Sequence, residues 1–150
     1  MPTDTEGALD RIRADMALFD DWEDRYRYII ELGRSLDTFP EEMRTDANKV
    51  RGCASQVWLT SSLKSPAPGA PEVLDLRGDS DAHIVRGLVA VLLAVYQGKT
   101  PAEALSTDAR SVFAEFGLKE HLTPQRSNGF SSMVERLQND ARSRLPSAPH

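Results

Sequence analysis

The sequence has a single cysteine, Cys53, among its 150 residues. One cysteine cannot form a disulfide within the chain, which agrees with a reducing compartment. It also cannot supply the ligand set that iron–sulfur clusters and structural zinc ions take. The other candidate ligands are three scattered histidines, His83, His121 and His150. We therefore expect no metal or cluster site within one chain.

Long apolar runs, a basic surplus and glycine-rich phosphate loops are also missing. The longest apolar run, residues 87–96, is about half of the ~20 residues that span a bilayer. The net charge of −5 argues against a nucleic-acid footprint and against a polybasic membrane patch. Residues 1–4, MPTD, lack the basic-then-apolar form of a signal peptide. We expect a cytoplasmic protein that binds neither nucleic acid nor membrane.

The composition is that of an ordinary globular chain, with 40% hydrophobic and 27% charged residues. A chain of this length buries roughly 70% of the surface that it exposes when unfolded, so it can fold without disulfides or a metal. No internal repeat is visible. We expect one domain over residues 1–150, with residues 1–7 and 146–150 as loose ends.

Hydrophobic spacing predicts helices before and after a stretch of strands. The third predicted helix is apolar on nearly all sides, which is typical of a helix in the centre of a core. Gly87 within it costs about 1 kcal/mol relative to alanine, and close packing against a neighbour would account for it. The helices are predicted over residues 5–19 and 22–36, from Ser80 to Gln97, from the capping box at Thr100, around residues 112–116, and from Thr123 onwards.

The middle of the chain has the composition of short strands, rich in valine, leucine, tryptophan and threonine. Strands are predicted at residues 49–51, 55–62 and 73–76, the last ended by Gly78, with a proline-rich loop over residues 65–71. Helices thus precede and follow two or three short antiparallel strands. This order predicts an α+β fold in which helices pack on a small antiparallel sheet.

Cys53 is predicted to lie at a turn between two strand-like pieces. Gly52 lets the chain turn sharply and keeps bulk away from the sulfur. Arg51 is a nearby cation, which favours the reactive thiolate. A second interpretation is a small apolar residue that fills a gap in the core, as free cysteines often do. Position alone leaves both interpretations open.

A nucleophile of the hydrolase type would need a histidine base and an orienting group. No local signature links His83 or His121 to Cys53, and His150 ends a polar tail. A lone accessible thiol can nevertheless take a sulfur atom by attacking a persulfide, as in thiol–disulfide exchange, and then pass it on. The residues alone therefore indicate one-thiol chemistry and no second catalytic group.

Three charged residues remain as candidates for other roles. Asp79 and Asp81 lack the spacing of a calcium loop, and we interpret them as first-turn charges matched to the dipole of the following helix. Arg126 lies in the first turn of the last helix, where a cation is slightly unfavourable. That position hints at a partner for Arg126, although plain solvent exposure is the default interpretation.

Four segments of the chain resemble the SufE family and its close relative CsdE, and they occur in that family's order. The segments are WEDRYRYIIELG at 22–33, VRGCASQVW at 50–58, GDSDAHIVRGL at 78–88 and HLTPQRSNG at 121–129. Together they span most of the chain. The resemblance implies a fold similar to the iron–sulfur scaffold IscU, with a three-stranded antiparallel sheet and packed helices.

The resemblance also implies a function. The thiol of Cys53 would accept sulfane sulfur from a pyridoxal-phosphate cysteine desulfurase of the SufS or CsdA type, stimulate that enzyme and pass the sulfur to iron–sulfur cluster assembly, with a cluster scaffold complex as a further partner. The protein would be a sulfurtransferase-type carrier rather than a stand-alone enzyme. It would have no cofactor of its own, since the pyridoxal phosphate belongs to the desulfurase. Arg51, Gly52, Asp79 and Arg126 become candidates for loop and partner contacts.

Some points stay open. A module that only activates a desulfurase by binding is an alternative to the carrier, and a CsdE-like carrier could feed another acceptor such as a tRNA-modification route. Monomer and homodimer are both compatible with the sequence. Ala54 departs from the family, many of whose members have a larger polar residue there. We also expect a movable Cys53 loop and a thiol that reacts slowly in the free protein, with Gly52→Val leaving thermal stability nearly unchanged.

Overall fold

The computed structural model of the chain describes residues 4–53 and 55–145. Within these ranges, seven α-helices pack around a sheet of two antiparallel strands, and a 3₁₀ turn spans Glu41–Met43. The expected α+β class is confirmed. The elements are α1 (Asp4–Ala17), α2 (Trp22–Arg34), β1 (Val57–Lys64), β2 (Val73–Ser80), α3 (His83–Tyr96), α4 (Pro101–Leu105), α5 (Ala109–Glu115), α6 (Leu118–His121) and α7 (Pro124–Ser143).

The sheet is smaller than the resemblance implies. Strands β1 and β2 pair over their full lengths, but the expected third strand is reduced to a single antiparallel bridge between Lys49 and Trp58. Turns at residues 46–48 and 51–52 leave only the short stretch between them, which is too short to extend the ladder. Three strands are therefore not found among the described residues, and similarity to IscU stays a prediction.

The boundary between β2 and α3 differs from the prediction. β2 continues through Gly78 to Ser80, and α3 begins at His83, so Ser80 is a strand residue and not a helix cap. Gly78 lies at a tightly packed point of the sheet, since an added β-carbon would come 2.7 Å from side chains of Leu59 and Val89. The glycine therefore permits close packing on the sheet instead of ending the strand.

Helix α3 occupies the centre of the core, as its apolar sequence predicts. Leu88, Val89 and Leu92 have no exposed side-chain surface, and α3 packs on α1, α2 and β2. A β-carbon added at Gly87 would lie 2.1 Å from the carbonyl oxygen of Ile29 in α2. The prediction that Gly87 permits close helix packing is confirmed.

Local helix-start signals agree with the structure. The Asp21 side chain accepts a hydrogen bond from the N–H of Glu23, which caps α2. Thr100 and Glu103 form the predicted capping box of α4. The short helix α6 has no counterpart in the prediction.

The expected loose ends are only partly open to comparison. Residues 4–7 belong to α1, so the loose N-terminal segment does not extend over them. Residues 1–3 and 146–150 lie outside the described residues. No helix in the described part of the chain is long and apolar enough to cross a membrane.

Candidate functional site

Gly52 forms the sharp turn that the sequence predicts before Cys53. Its φ of +87° lies in the left-handed region, which glycine adopts without steric cost. A β-carbon at Gly52 would also lie 2.6 Å from the Oγ atom of Ser132 in α7. Both features make any side chain at this position unfavourable. The expectation that Gly52→Val leaves stability nearly unchanged is therefore wrong.

Cys53 lies half-buried between the start of α3 and the first turns of α7. Its Sγ atom is 3.5 Å from the carbonyl oxygen of Gly129, which it can approach as a weak S–H donor. Beside it is a cavity of about 20 Å³, room for roughly one water molecule. The cavity is lined by Cys53, Ser55, Val85, Leu88, Gln125, Arg126, Gly129 and Met133.

Burial raises the pKa of the Cys53 thiol above its ordinary value. The cause is lost hydration, which penalises the thiolate. This direction is opposite to the one expected from Arg51, whose side chain is exposed. A smaller fraction of this thiol is therefore ionised than in an exposed cysteine, as expected for a concealed carrier and equally for a cysteine that fills a gap in the core.

The Cys53 loop, residues 51–55, is held at both ends. At its start, Arg136 of α7 donates to the carbonyl of Lys49 over 3.3 Å. At its end, the N–H of Gln56 donates to Oδ1 of Asp81 over 3.0 Å, and the N–H of Asp81 donates back to the carbonyl of Gln56 over 3.2 Å. These contacts confine any rearrangement of the thiol to the few residues between them.

Arg126 lies beside the thiol and is half-buried, so the default of plain solvent exposure is corrected. Its backbone N–H donates to the Thr123 hydroxyl that caps α7. Its guanidinium makes no ion pair with any carboxylate in the described parts of the chain. The structure thus brings Gly52, Cys53 and Arg126 together around one small cavity.

Asp79 has a different place from the one predicted. It lies in β2 and not in a helix turn, and it is only 5% exposed. Its carboxylate contacts Arg44 at 2.5 Å and Arg86 at 2.9 Å, and it accepts the N–H of Ser80. The Arg44 guanidinium also lies 4.8 Å from the centre of the Trp58 ring. This chain's own arginines therefore enclose Asp79, which corrects the expectation that it faces a partner.

The two arginines around Asp79 were missed by the sequence analysis. Arg86 had a usable signal, because a cation within the apolar helix α3 requires a counter-charge nearby. Arg44 had none, since it lies 35 positions from Asp79 in a stretch without periodicity. Neither arginine lines the cavity at Cys53, so this cluster supports the fold around the site.

The histidines are not placed as bases for Cys53. His83 is exposed at the first position of α3, and His121 stacks on Trp22 with ring centres 4.3 Å apart. Neither lines the cavity, and His150 lies outside the described residues. The described residues also contain no group of three histidine, cysteine, aspartate or glutamate side chains that could hold a metal ion.

The comparisons with known proteins agree with the resemblance in the sequence. The model of the SufE family, described as an Fe-S metabolism associated domain, matches residues 10–141. The chain belongs to the SufE family.

Two relatives carry the same family name. An uncharacterized SufE-like protein of Rhizobium meliloti (strain 1021) is 51% identical over 139 residues, which cover 93% of this chain and 98% of that protein. An uncharacterized SufE-like protein of Rhizobium etli is 52% identical over 139 residues, which cover 91% of each. The solution structure of a hypothetical protein from Thermus thermophilus superposes with a TM-score of 0.66 at 20% identity, over 91% of this chain and 94% of that one. That likeness shows a shared fold.

Proposed function

We propose that this protein accepts sulfane sulfur on Cys53 from a pyridoxal-phosphate cysteine desulfurase. The observation that carries the proposal is the placement of the chain's one thiol. Cys53 is half-buried in a short loop held at both ends, with no histidine base and no metal ligand set around it in the described structure. Such a thiol is suited to exchange with another sulfur group and not to hydrolysis. Membership of a family named for Fe-S metabolism supports the same function.

The transfer is a thiol exchange that needs no outside oxidant. The Cys53 thiol loses its proton, and the thiolate attacks the outer sulfur of the persulfide on the desulfurase. One S–S bond forms on Cys53 as the S–S bond on the donor breaks. The donor cysteine leaves as a thiolate and takes up a proton. Cys53 then holds a persulfide, whose outer sulfur a second acceptor thiol can remove in the same way.

Two arginines lie near the Cys53 thiol. Arg51 is exposed in the turn before Cys53, and Arg126 borders the cavity beside it. We place both against the desulfurase when the thiol enters its active site. The pyridoxal phosphate stays on the desulfurase, where it supplies the chemistry that releases sulfur from cysteine. A scaffold for cluster assembly is the proposed receiver of that sulfur.

Incubation with a SufS-type desulfurase and free cysteine tests the proposal. Intact-protein mass spectrometry should show one added sulfur atom that dithiothreitol removes, and peptide mapping should place it on Cys53. Cys53→Ser is the matched control, since it changes a single atom, and it should gain no sulfur while keeping its thermal unfolding profile. The carrier role would be contradicted if the protein stimulated the desulfurase without gaining sulfur on Cys53, and if Cys53→Ser stimulated it equally. The protein would then be an activator that works by binding alone.

A further inference from the structure

A groove separate from the Cys53 cavity lies along the outer edge of β2. It has a volume of about 360 Å³ and is bordered by β2, α1, α3 and the end of α2. It shares no lining residue with the Cys53 cavity. Its walls are mainly apolar and include Ile12, Leu36, Leu93 and Ala94. Its size falls in the range of about 300–1,000 Å³ that is typical of ligand sites.

The register of the sheet fixes which backbone groups of β2 face this groove. Leu59 donates its N–H to Asn48, away from β2, and it lies opposite Gly78. Such a pair in an antiparallel ladder exchanges no hydrogen bonds, so the N–H and C=O of Gly78 point away from β1. The alternate residue Leu76 has the same orientation. Both residues line the groove.

Other parts of the chain that the structure describes form hydrogen bonds with the outward-facing backbone groups of Leu74 and with one of those of Leu76, but with neither of those of Gly78. The N–H and C=O of Leu74 are bonded by residues 98–99 at 2.8 and 3.1 Å. The N–H of Leu76 donates to the side-chain oxygen of Gln97 over 2.7 Å. Among the backbone groups of residues 4–53 and 55–145 and the side chains of residues 8–53, 55–118 and 120–145, the C=O of Leu76 and both backbone groups of Gly78 have no hydrogen-bond partner. Three polar backbone groups of two buried residues thus lack a partner within these ranges beside an apolar groove.

We propose that this groove binds an extended peptide segment of a partner protein, which adds a short strand to β2 at residues 76–78. The peptide's backbone would bond to Leu76 and Gly78, and one of its apolar side chains would lie against Leu93 and Ala94. Strand addition of this kind takes its affinity from main-chain bonds and its specificity from side-chain pockets. The proposal is independent of sulfur transfer by Cys53.

Charge at the groove favours an acidic peptide. Arg11 and Arg77 both line the groove, are exposed and make no ion pair with the side chains of residues 8–53, 55–118 and 120–145. Asp37 is the one carboxylate among the lining residues whose side chains the structure describes. Burial raises the pKa of Tyr28 in the groove wall, and so does the Asp15 carboxylate, which accepts a hydrogen bond from its hydroxyl over 2.7 Å, whereas the Arg11 guanidinium acts in the opposite direction. We therefore assign acidic residues to the ends of the peptide.

The recessed position of the edge selects a peptide over a second copy of this chain. Helices α1, α2 and α3 all contribute wall residues, Ala8, Leu32 and Leu93 among them, and Gly78 at the edge is buried. An equally recessed edge on a second molecule could not reach Gly78 between these helices. A single extended segment, with neighbouring strands about 4.8 Å apart, can enter the groove.

The test uses a capped pentapeptide of three leucines with an aspartate at each end, labelled with fluorescein. Fluorescence anisotropy should show saturable binding to the full chain. Amide hydrogen exchange followed by NMR should show the Gly78 N–H protected at least about tenfold more in the complex, because it becomes bonded to the peptide. The same peptide with N-methyl groups on its leucine amides keeps its charge and its side chains but loses its donors, so it should bind at least about tenfold more weakly.

Variants at the groove test the apolar wall and the charged wall separately. Ala94→Trp fills the groove and should abolish binding, whereas Ala102→Trp, the same change at an exposed site, should not. Arg11→Glu should weaken binding roughly threefold, as expected for an exposed charge pair, whereas Arg27→Glu on the outer side of α2 should have no effect.

Three results would overturn the proposal. The first is equal binding of the N-methylated peptide, which would reduce the groove to a hydrophobic surface. The second is protection of the Gly78 amide that rises with protein concentration in the absence of peptide, which would assign the groove to a second copy. The third is full protection without peptide at every concentration, which would assign it to the chain's own terminal residues.

Discussion

The sulfur atom of Cys53 lies 3.5 Å from the carbonyl oxygen of Gly129, so the half-buried thiol lies against helix α7. Hydrogen bonds fix Lys49 before Cys53 and Gln56 after it, so only a few residues on either side of Cys53 can move. For the thiol to enter a desulfurase, the short loop between these anchors must leave α7. The reactivity of Cys53 therefore reports the position of this loop.

Alkylation of Cys53 by iodoacetamide should be slower in the free protein than in a short cysteine peptide at the same pH. Only the thiolate reacts, and burial raises the pKa of the thiol, so a smaller fraction is ionised at neutral pH. The rate should rise with pH and reach its midpoint at a higher pH than the peptide does. Mass spectrometry over time measures both curves. Labelling as fast as the peptide would mean that the loop is already open.

Gly52→Ala should destabilise the protein more than Gly69→Ala does. Both glycines have left-handed φ values, +87° and +79°, so each change costs about 1–2 kcal/mol of backbone energy. The added β-carbon at Gly52 meets the Oγ atom of Ser132 at 2.6 Å, whereas nothing lies within 4 Å of the one at Gly69. Urea unfolding gives the free energies.

Removing the hydroxyl of Ser132 distinguishes steric overlap from backbone strain as the cause of the destabilisation by Gly52→Ala. In a Ser132→Ala background the β-carbon loses its nearest contact, so the cost of Gly52→Ala should fall toward that of Gly69→Ala. An unchanged cost would show that backbone strain alone requires the glycine.

Asp79→Ala should lower the free energy of unfolding by about 2–4 kcal/mol, because it leaves two partly buried guanidiniums without their carboxylate. Asp75→Ala is the control on the same strand. Asp75 is one-third exposed and its ion pair with Lys64 is long, at 3.9 Å, so its loss should cost about 1 kcal/mol or less. Equal effects of the two changes would contradict a structural role for the Asp79 cluster.

Features set by short-range sequence could be predicted. The capping box at Thr100 depends on residues three positions apart, and the central position of α3 follows from its composition. The turn at Gly52 and the thiol beside it were also visible in the order of residues. Each of these features is determined by residues close together in the sequence.

Features that depend on distant partners could not be predicted. The sequence around Asp79 resembles a helix start, but tertiary contacts with Arg44 and Arg86 hold it in a strand. The pKa of Cys53 likewise depends on burial beneath α7, about 76 residues further along the chain, and not on its neighbour Arg51. Charge clusters and burial are properties of the folded core, so local patterns do not indicate them.

Gly129→Ala and Gly87→Ala are the same chemical change in two helices, and they should have opposite effects on stability. Alanine favours a helix by about 1 kcal/mol over glycine. At Gly129 the added β-carbon lies 3.5 Å from the sulfur of Cys53, an ordinary contact, so stability should rise by about 0.5–1 kcal/mol. At Gly87 it would lie 2.1 Å from the carbonyl oxygen of Ile29, and the overlap should lower stability by about 1–3 kcal/mol.

The same Gly129→Ala change should also slow the chemistry of Cys53. The new methyl group packs on the sulfur only while the loop lies against α7, so it stabilises the concealed conformation and lowers the population of the open one. Alkylation of the free protein and sulfur uptake from a desulfurase should both slow by the same factor, because both require the loop to open. Slower alkylation with unchanged sulfur uptake would show instead that the desulfurase reaches the thiol without drawing it away from α7.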